Sequence, residues 1–125
     1  MTNLVTMLED VKGWETLSGD AYQRSQLRWK TFVSRELVGS GNMSFGLAVL
    51  DPGRVHGVHH HPHANEFYYV LVGLAKVTLG DKNFVAGPGT TIYIPKGTKH
   101  GVVNESEKPF SFIWVIEGKV PIEDY

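Results

Sequence analysis

The chain has no cysteine among its 125 residues, which excludes disulfides, thiolate ligands, iron–sulfur clusters and a cysteine nucleophile. It also lacks any apolar run approaching the roughly 18 residues that a membrane span needs. Charge of one sign is missing too. With 12 Lys and Arg against 13 Asp and Glu, neither a nucleic-acid partner nor an anionic membrane surface is expected. Met1–Glu9 has an early acid and no basic start, unlike a signal peptide, so a cytoplasmic location is expected. Long stretches of helical period are absent, which argues against βαβ units. What the chain has is a globular composition, 42% hydrophobic and 20% charged, in the length of one domain. Its 14 glycines and six prolines are spread along the sequence and predict many turns between short strands.

Three segments are expected: an N-terminal arm or cover over 1–26, a β-barrel over 27–117, and a C-terminal tail over 118–125. In the arm, Val11, Trp14 and Leu17 have helix-like spacing interrupted by Gly13 and Gly19. From Leu27 onward about eight short strands are expected, bounded by signals such as Asp51-Pro52-Gly53 and Gly87-Pro88-Gly89. The fold class predicted is all-β, an antiparallel barrel or sandwich. Within Glu66–Val72, Glu66, Tyr68, Val70 and Val72 share one side, and Phe67, Tyr69 and Leu71 the other. The second set, turned outward, makes an apolar patch that needs a cover. That cover is either the N-terminal arm or, as the preferred expectation, a second copy in a homodimer.

Five of the six histidines fall between residues 56 and 63, and the sixth is His100. His59 and His61 are two apart and point the same way on an extended backbone. With Glu66 on the next segment and His100 arriving from a facing strand, they would make three imidazoles and one carboxylate. Such a set suits Fe²⁺, Mn²⁺, Co²⁺, Ni²⁺ or Zn²⁺, with positions left for water or substrate. One carboxylate against a divalent ion leaves the site cationic and inviting to an anionic small molecule. The competing reading is a His-rich surface loop that binds metal adventitiously.

These residues resemble the two motifs of the cupin superfamily. Gly53, His59, His61, Glu66 and Gly73 match the first motif, with four residues between His61 and Glu66. Gly89, Pro95, Gly97, His100 and Asn104 match the second, and fifteen residues separate the two. The resemblance implies a small double-stranded β-helix with one divalent transition metal per chain, held by His59, His61, Glu66 and His100. His60 alternates away from the ligands. His56 and His63 lie outside the motif positions and are left as lining, supporting or solvent-facing residues.

Cupins include lyases, isomerases, decarboxylases, dioxygenases and non-catalytic binders, so the ligands do not choose a reaction. Tyr68, two residues after Glu66, is expected to face the same interior. A phenol beside a divalent cation is a candidate catalytic acid or base. Trp29, Met43, Phe45, Phe112 and Trp114 are expected to form an apolar pocket around the metal. Segments outside the motifs look loosely like small metal-dependent lyases that cleave dimethylsulfoniopropionate. The leading expectation is metal-assisted proton abstraction from a small carboxylate- or enolate-bearing molecule, followed by elimination or isomerisation. The alternatives are an Fe(II)-dependent dioxygenase that cleaves an enol, diketone or catechol, and a non-catalytic small-ligand binder.

Overall fold

A computed structural model of the chain describes residues 4–118. Ten strands run in chain order. They are β1 (Glu15–Thr16), β2 (Arg28–Val33), β3 (Met43–Leu50), β4 (Val55–His59), β5 (Glu66–Val72), β6 (Ala75–Leu79), β7 (Lys82–Ala86), β8 (Thr91–Ile94), β9 (His100–Val103) and β10 (Phe110–Glu117). Two short helices, α1 (Gly19–Arg24) and α2 (Arg35–Val38), interrupt them. The strands form two antiparallel sheets, ordered β1-β2-β3-β10-β5-β8 and β4-β9-β6-β7. This is the all-β, double-stranded β-helix arrangement. Among the described residues no helix is long and apolar enough to cross a membrane.

The alternation expected in the sequence sets the core. Along β5, Glu66, Tyr68 and Val70 are buried while Phe67, Tyr69 and Leu71 are exposed, and Val72, expected on the inward side, is exposed beyond a shift in the β5–β10 register. Along β10, Phe110, Phe112, Trp114 and Ile116 are buried. They join Val77, Ala86 and Val102 of the smaller sheet in one hydrophobic cluster. Each such side chain removed from water contributes about 1.5–3 kcal/mol.

Strand β3 reverses the face expected for it. Its inward residues are Ser44, Gly46, Ala48 and Leu50, so Met43 and Phe45 are not pocket residues. Met43 is 59% exposed, and Phe45 packs outside against Phe32 with ring centroids 5.8 Å apart. The cause is the neighbouring strand. Gly46 lies opposite Trp114, and a Cβ there would meet Trp114 Cζ2 at 2.5 Å and would also strike the Lys30 carbonyl. The large side chain comes from β10, so β3 must present small ones, and its bulky residues are pushed outward.

Asn104, the last residue of the second motif, is fully buried and ties the barrel end together. Its Nδ2 donates to the carbonyls of Leu50 at 2.9 Å and Lys108 at 2.8 Å. Its Oδ1 accepts from Ser106 N at 3.0 Å and Ser106 Oγ at 2.7 Å. The motif glycine Gly73 has φ +90° and sits against the Pro109 carbonyl, a place where a side chain is excluded twice over.

The N-terminal segment has no helix over Val11–Leu17. The helical turn comes later, in α1, where Ser18 precedes Gly19, and β1 pairs with β2. Trp14 lies under the outward cations of β2, its ring centroid 4.5 Å from the Arg28 guanidinium and 4.9 Å from Lys30 Nζ. Arg28 also pairs with Asp51 at 3.0 Å. Of the expected tail only Gly118 is described, and residues 119–125 lie outside the described residues.

Candidate metal centre

The two motifs meet through strand pairing. His59 of β4 and His100 of β9 are register partners, which sets their rings 4.2 Å apart at the centroids. His61 follows β4, with its ring 5.0 Å from that of His59 and 5.3 Å from that of His100. All three are buried, and one nitrogen from each lies within 4.8 Å of the others. Glu66, at the start of β5, brings Oε1 to 3.4 Å from His61 Nε2 and 3.3 Å from His100 Nε2. His60 and His63 are exposed, away from this cluster.

The hydrogen bonds prepare the rings for a cation. His59 Nδ1 donates to the Gly57 carbonyl at 2.6 Å, and His100 Nδ1 donates to the Thr98 carbonyl at 2.9 Å. A carbonyl can only accept, so each neutral ring carries its proton on Nδ1 and turns an Nε2 lone pair inward. Burial first, then the neighbouring His100, pushes His59 down to about 3, against an opposing pull from the Gly57 bond. Burial alone would raise Glu66. The neighbouring His100 and His61 act against burial, and the balance leaves the carboxyl below its usual value. Neutral imidazoles with one carboxylate form the donor set that borderline divalent metals favour. Imidazole binds such ions at about 2.0–2.1 Å, within reach of small adjustments of these rings. The residues therefore fit a metal.

Beside the cluster lies a small cavity of about 20 Å³, lined by Leu27, Trp29, His56, Glu66, Tyr68, Phe112 and Trp114. Of the residues expected to form the pocket, Trp29, Phe112 and Trp114 line it, and Met43 and Phe45 do not. Tyr68 is 3% exposed, with its ring 4.3 Å from Phe112 and 6.3 Å from His100 at the centroids.

Sequence reasoning missed Leu27, Ser25 and the placement of His56. In a regular strand His56 and His59, three apart, would point to opposite faces. The β4–β9 register shifts between them, and both are buried. The signal was Gly57, a glycine inside a strand, which often marks a bulge or a close backbone approach. Here it marks both, since a Cβ on Gly57 would strike the carbonyl of Arg24. The end of α1 therefore lies directly on β4. Gln26 N bonds the Val55 carbonyl at 2.8 Å, Val55 N bonds Gln26 Oε1 at 3.0 Å, and Ser25 Oγ meets His56 Nδ1 at 2.7 Å.

Comparison with known proteins agrees with this geometry. The family model for the cupin domain matches residues 46–116, and the chain belongs to that family. Among curated proteins, it is 37% identical over 76 residues to mannose-1-phosphate guanylyltransferase 2 of Escherichia coli O157:H7. That match covers 61% of this chain and 16% of the relative. It is 27% identical over 126 residues to glucose-6-phosphate isomerase of Thermococcus kodakarensis, covering 88% of this chain and 67% of the isomerase. Among solved structures, a protein from Thermotoga maritima described as a predicted oxalate decarboxylase superposes with a TM-score of 0.78. The two are 22% identical, and the match covers 93% of this chain and all of the other, a likeness of fold.

Proposed function

We propose that the protein is a metal-dependent enzyme that abstracts a proton from a small carboxylate- or enolate-bearing molecule, leading to elimination or isomerisation. The observation that carries this reading is Tyr68, a buried phenol on the same face of β5 as Glu66 and on the wall of the cavity beside the histidines. A divalent ion held by His59, His61, Glu66 and His100 would supply Lewis acidity to a substrate oxygen and stabilise the negative charge that develops there. Tyr68, in the phenolate form that a nearby divalent cation would favour, takes the proton from the carbon next to the carboxylate or carbonyl on its Oη. The electron pair left on that carbon either expels a leaving group from the neighbouring carbon or is reprotonated one atom further along. Leu27, Trp29 and Phe112 keep bulk water from the reacting carbon. The similarity to an isomerase of sugar phosphates supports this class, because a sugar isomerisation can proceed by moving a proton beside a carbonyl.

A homodimer is part of the proposal. Phe67, Tyr69 and Leu71 are 38%, 42% and 39% exposed. The described N-terminal residues pack at the β2 end of the sheet rather than over β5, which favours a second copy as the cover.

The test is metal analysis joined to a substrate screen. Wild-type protein should hold one divalent ion per chain, His59→Ala and His100→Ala should lose it, and turnover of sugar phosphates or small hydroxy acids should proceed without oxygen. Tyr68→Phe should keep the ion and lose turnover. Unchanged metal content in both histidine variants overturns the site. Turnover that consumes one O₂ per product replaces proton abstraction with oxidative cleavage.

A further inference from the structure

A residue on the wall of the cavity beside the metal centre carries a polar atom that no described residue satisfies. Trp114 is 4% exposed, and its Nε1 has no hydrogen-bond partner among the described residues. A buried N–H without an acceptor costs about 1–3 kcal/mol, so a native structure that keeps one calls for an occupant. Trp114 is held in place by its neighbours, since the missing side chain of Gly46 is what lets the indole lie against β3. Rotating it away from the cavity is therefore not an easy escape.

A second donor stands on the same wall. Ser25 Oγ is 2.7 Å from His56 Nδ1, and both residues are 1% exposed. The Leu27 amide, at 3.5 Å, donates to Ser25 Oγ. The Ser25 hydroxyl has one proton to give, and His56 Nδ1 is an acceptor within its reach. A neutral ring that accepts at Nδ1 carries its proton at Nε2. In that arrangement His56 is the tautomeric opposite of His59 and His100. Those two turn a lone pair inward, and His56 turns an N–H.

We propose that this cavity is a subsite for an acceptor oxygen of a small carboxylate- or enolate-bearing substrate, bound by Trp114 Nε1–H and His56 Nε2–H, with Ser25 as the positioning residue that sets the tautomer of His56. The volume supports it. About 20 Å³ is room for a group the size of a water molecule, so donors on its wall are within reach of one oxygen. The rest of the wall includes Leu27 and Phe112, whose side chains offer that oxygen nothing. The inference rests on the metal-centre reading for the other end of the substrate, and the experiment separates the two.

Formate is the probe, titrated into the zinc-loaded full chain with sodium chloride as the ionic-strength control. The chain has three tryptophans, and Trp114→Phe assigns the indole N–H resonance of Trp114. That resonance should move downfield with formate while that of the half-exposed Trp14 stays put. The formate dissociation constant should rise roughly tenfold in Trp114→Phe and in His56→Gln, with zinc stoichiometry unchanged. In Ser25→Ala the ¹⁵N shifts of the His56 ring should move from a single Nε2–H tautomer to a mixture, a change that general loosening of the fold would not produce. A stationary Trp114 resonance at saturating formate, or unchanged affinity in both donor variants, overturns the subsite and leaves the metal centre standing. Failure of wild-type protein to bind zinc overturns the metal centre instead. The same titration without zinc then decides the donor pair alone, at higher formate concentration because the Glu66 charge is uncompensated.

Discussion

Acidifying the metal-free protein should destabilise it well above the range in which carboxylates titrate, and His59 sets the size of the effect. Burial, with the charge of His100 second, lowers its pKa from 6.5 to about 3. The unfolded chain therefore binds a proton at His59 between those two values while the folded chain does not. Stability from this group is fully present above pH 6.5 and is lost progressively as the pH falls toward 3. Integrating the difference gives a loss of about 1.3 kcal/mol from pH 7 to 5.5, and about 2.5 kcal/mol by pH 4.5. His56, lowered for the same leading reason, adds in the same direction. The assay is urea unfolding followed by circular dichroism, on chelator-treated wild type and His59→Gln at pH 7, 5.5 and 4.5. The variant should lose roughly 1.3 kcal/mol less than wild type over the first interval. Equal slopes in the two proteins would falsify the claim that His59 is buried as a neutral ring.

Other predictions follow from packing and surface. Asn104→Ala removes four hydrogen bonds and leaves the Leu50 carbonyl buried without its donor, so urea unfolding should report a loss of about 3 kcal/mol; a loss under about 1 kcal/mol would mean that the barrel end is held otherwise. Gly46→Ala should cost about 2 kcal/mol or more by overpacking against Trp114 and the Lys30 carbonyl, and a neutral result would show that β3 and β10 lie further apart. Tyr69→Lys combined with Leu71→Glu should convert a dimer to a monomer in light scattering at unchanged melting temperature, whereas a wild-type protein already monomeric would remove the dimer from the proposal.

The strands and the cluster of candidate ligands were legible because both depend largely on short-range spacing. The alternation in Glu66–Leu71 maps onto buried and exposed residues and that in Phe110–Ile116 onto buried and half-buried ones, whereas Val72 lies past a register shift and is exposed. His59 and His61 are an even number apart, and the strand register brings His100 opposite. Strand β3 was not legible, because its inward face is determined by the volume of Trp114, and bulk alone pointed the wrong way. The β4 strand and the short helix α2 were not separated from their loops. The contribution of Ser25 and Leu27 depends on a long-range contact of α1 with β4 that leaves one trace in the sequence, Gly57.

The irregularity between His56 and His59 makes two properties of the protein separable. The relation of His59 to His61 depends on an even count of residues, and the relation of His56 to both depends on an odd count corrected by the bulge. Substitutions therefore act on what each side chain does, while the match between the residue count from 56 to 59 and the strand register decides whether the fourth imidazole belongs to the cavity at all. Deleting Val58 would leave an even count that a regular strand satisfies without the bulge, so His56 would stay inward and the spacing of His59 to His61 would be unchanged. The capacity to hold an ion and the polarity of the chamber next to it are thus written in different currencies, residue identity for one and residue count for the other.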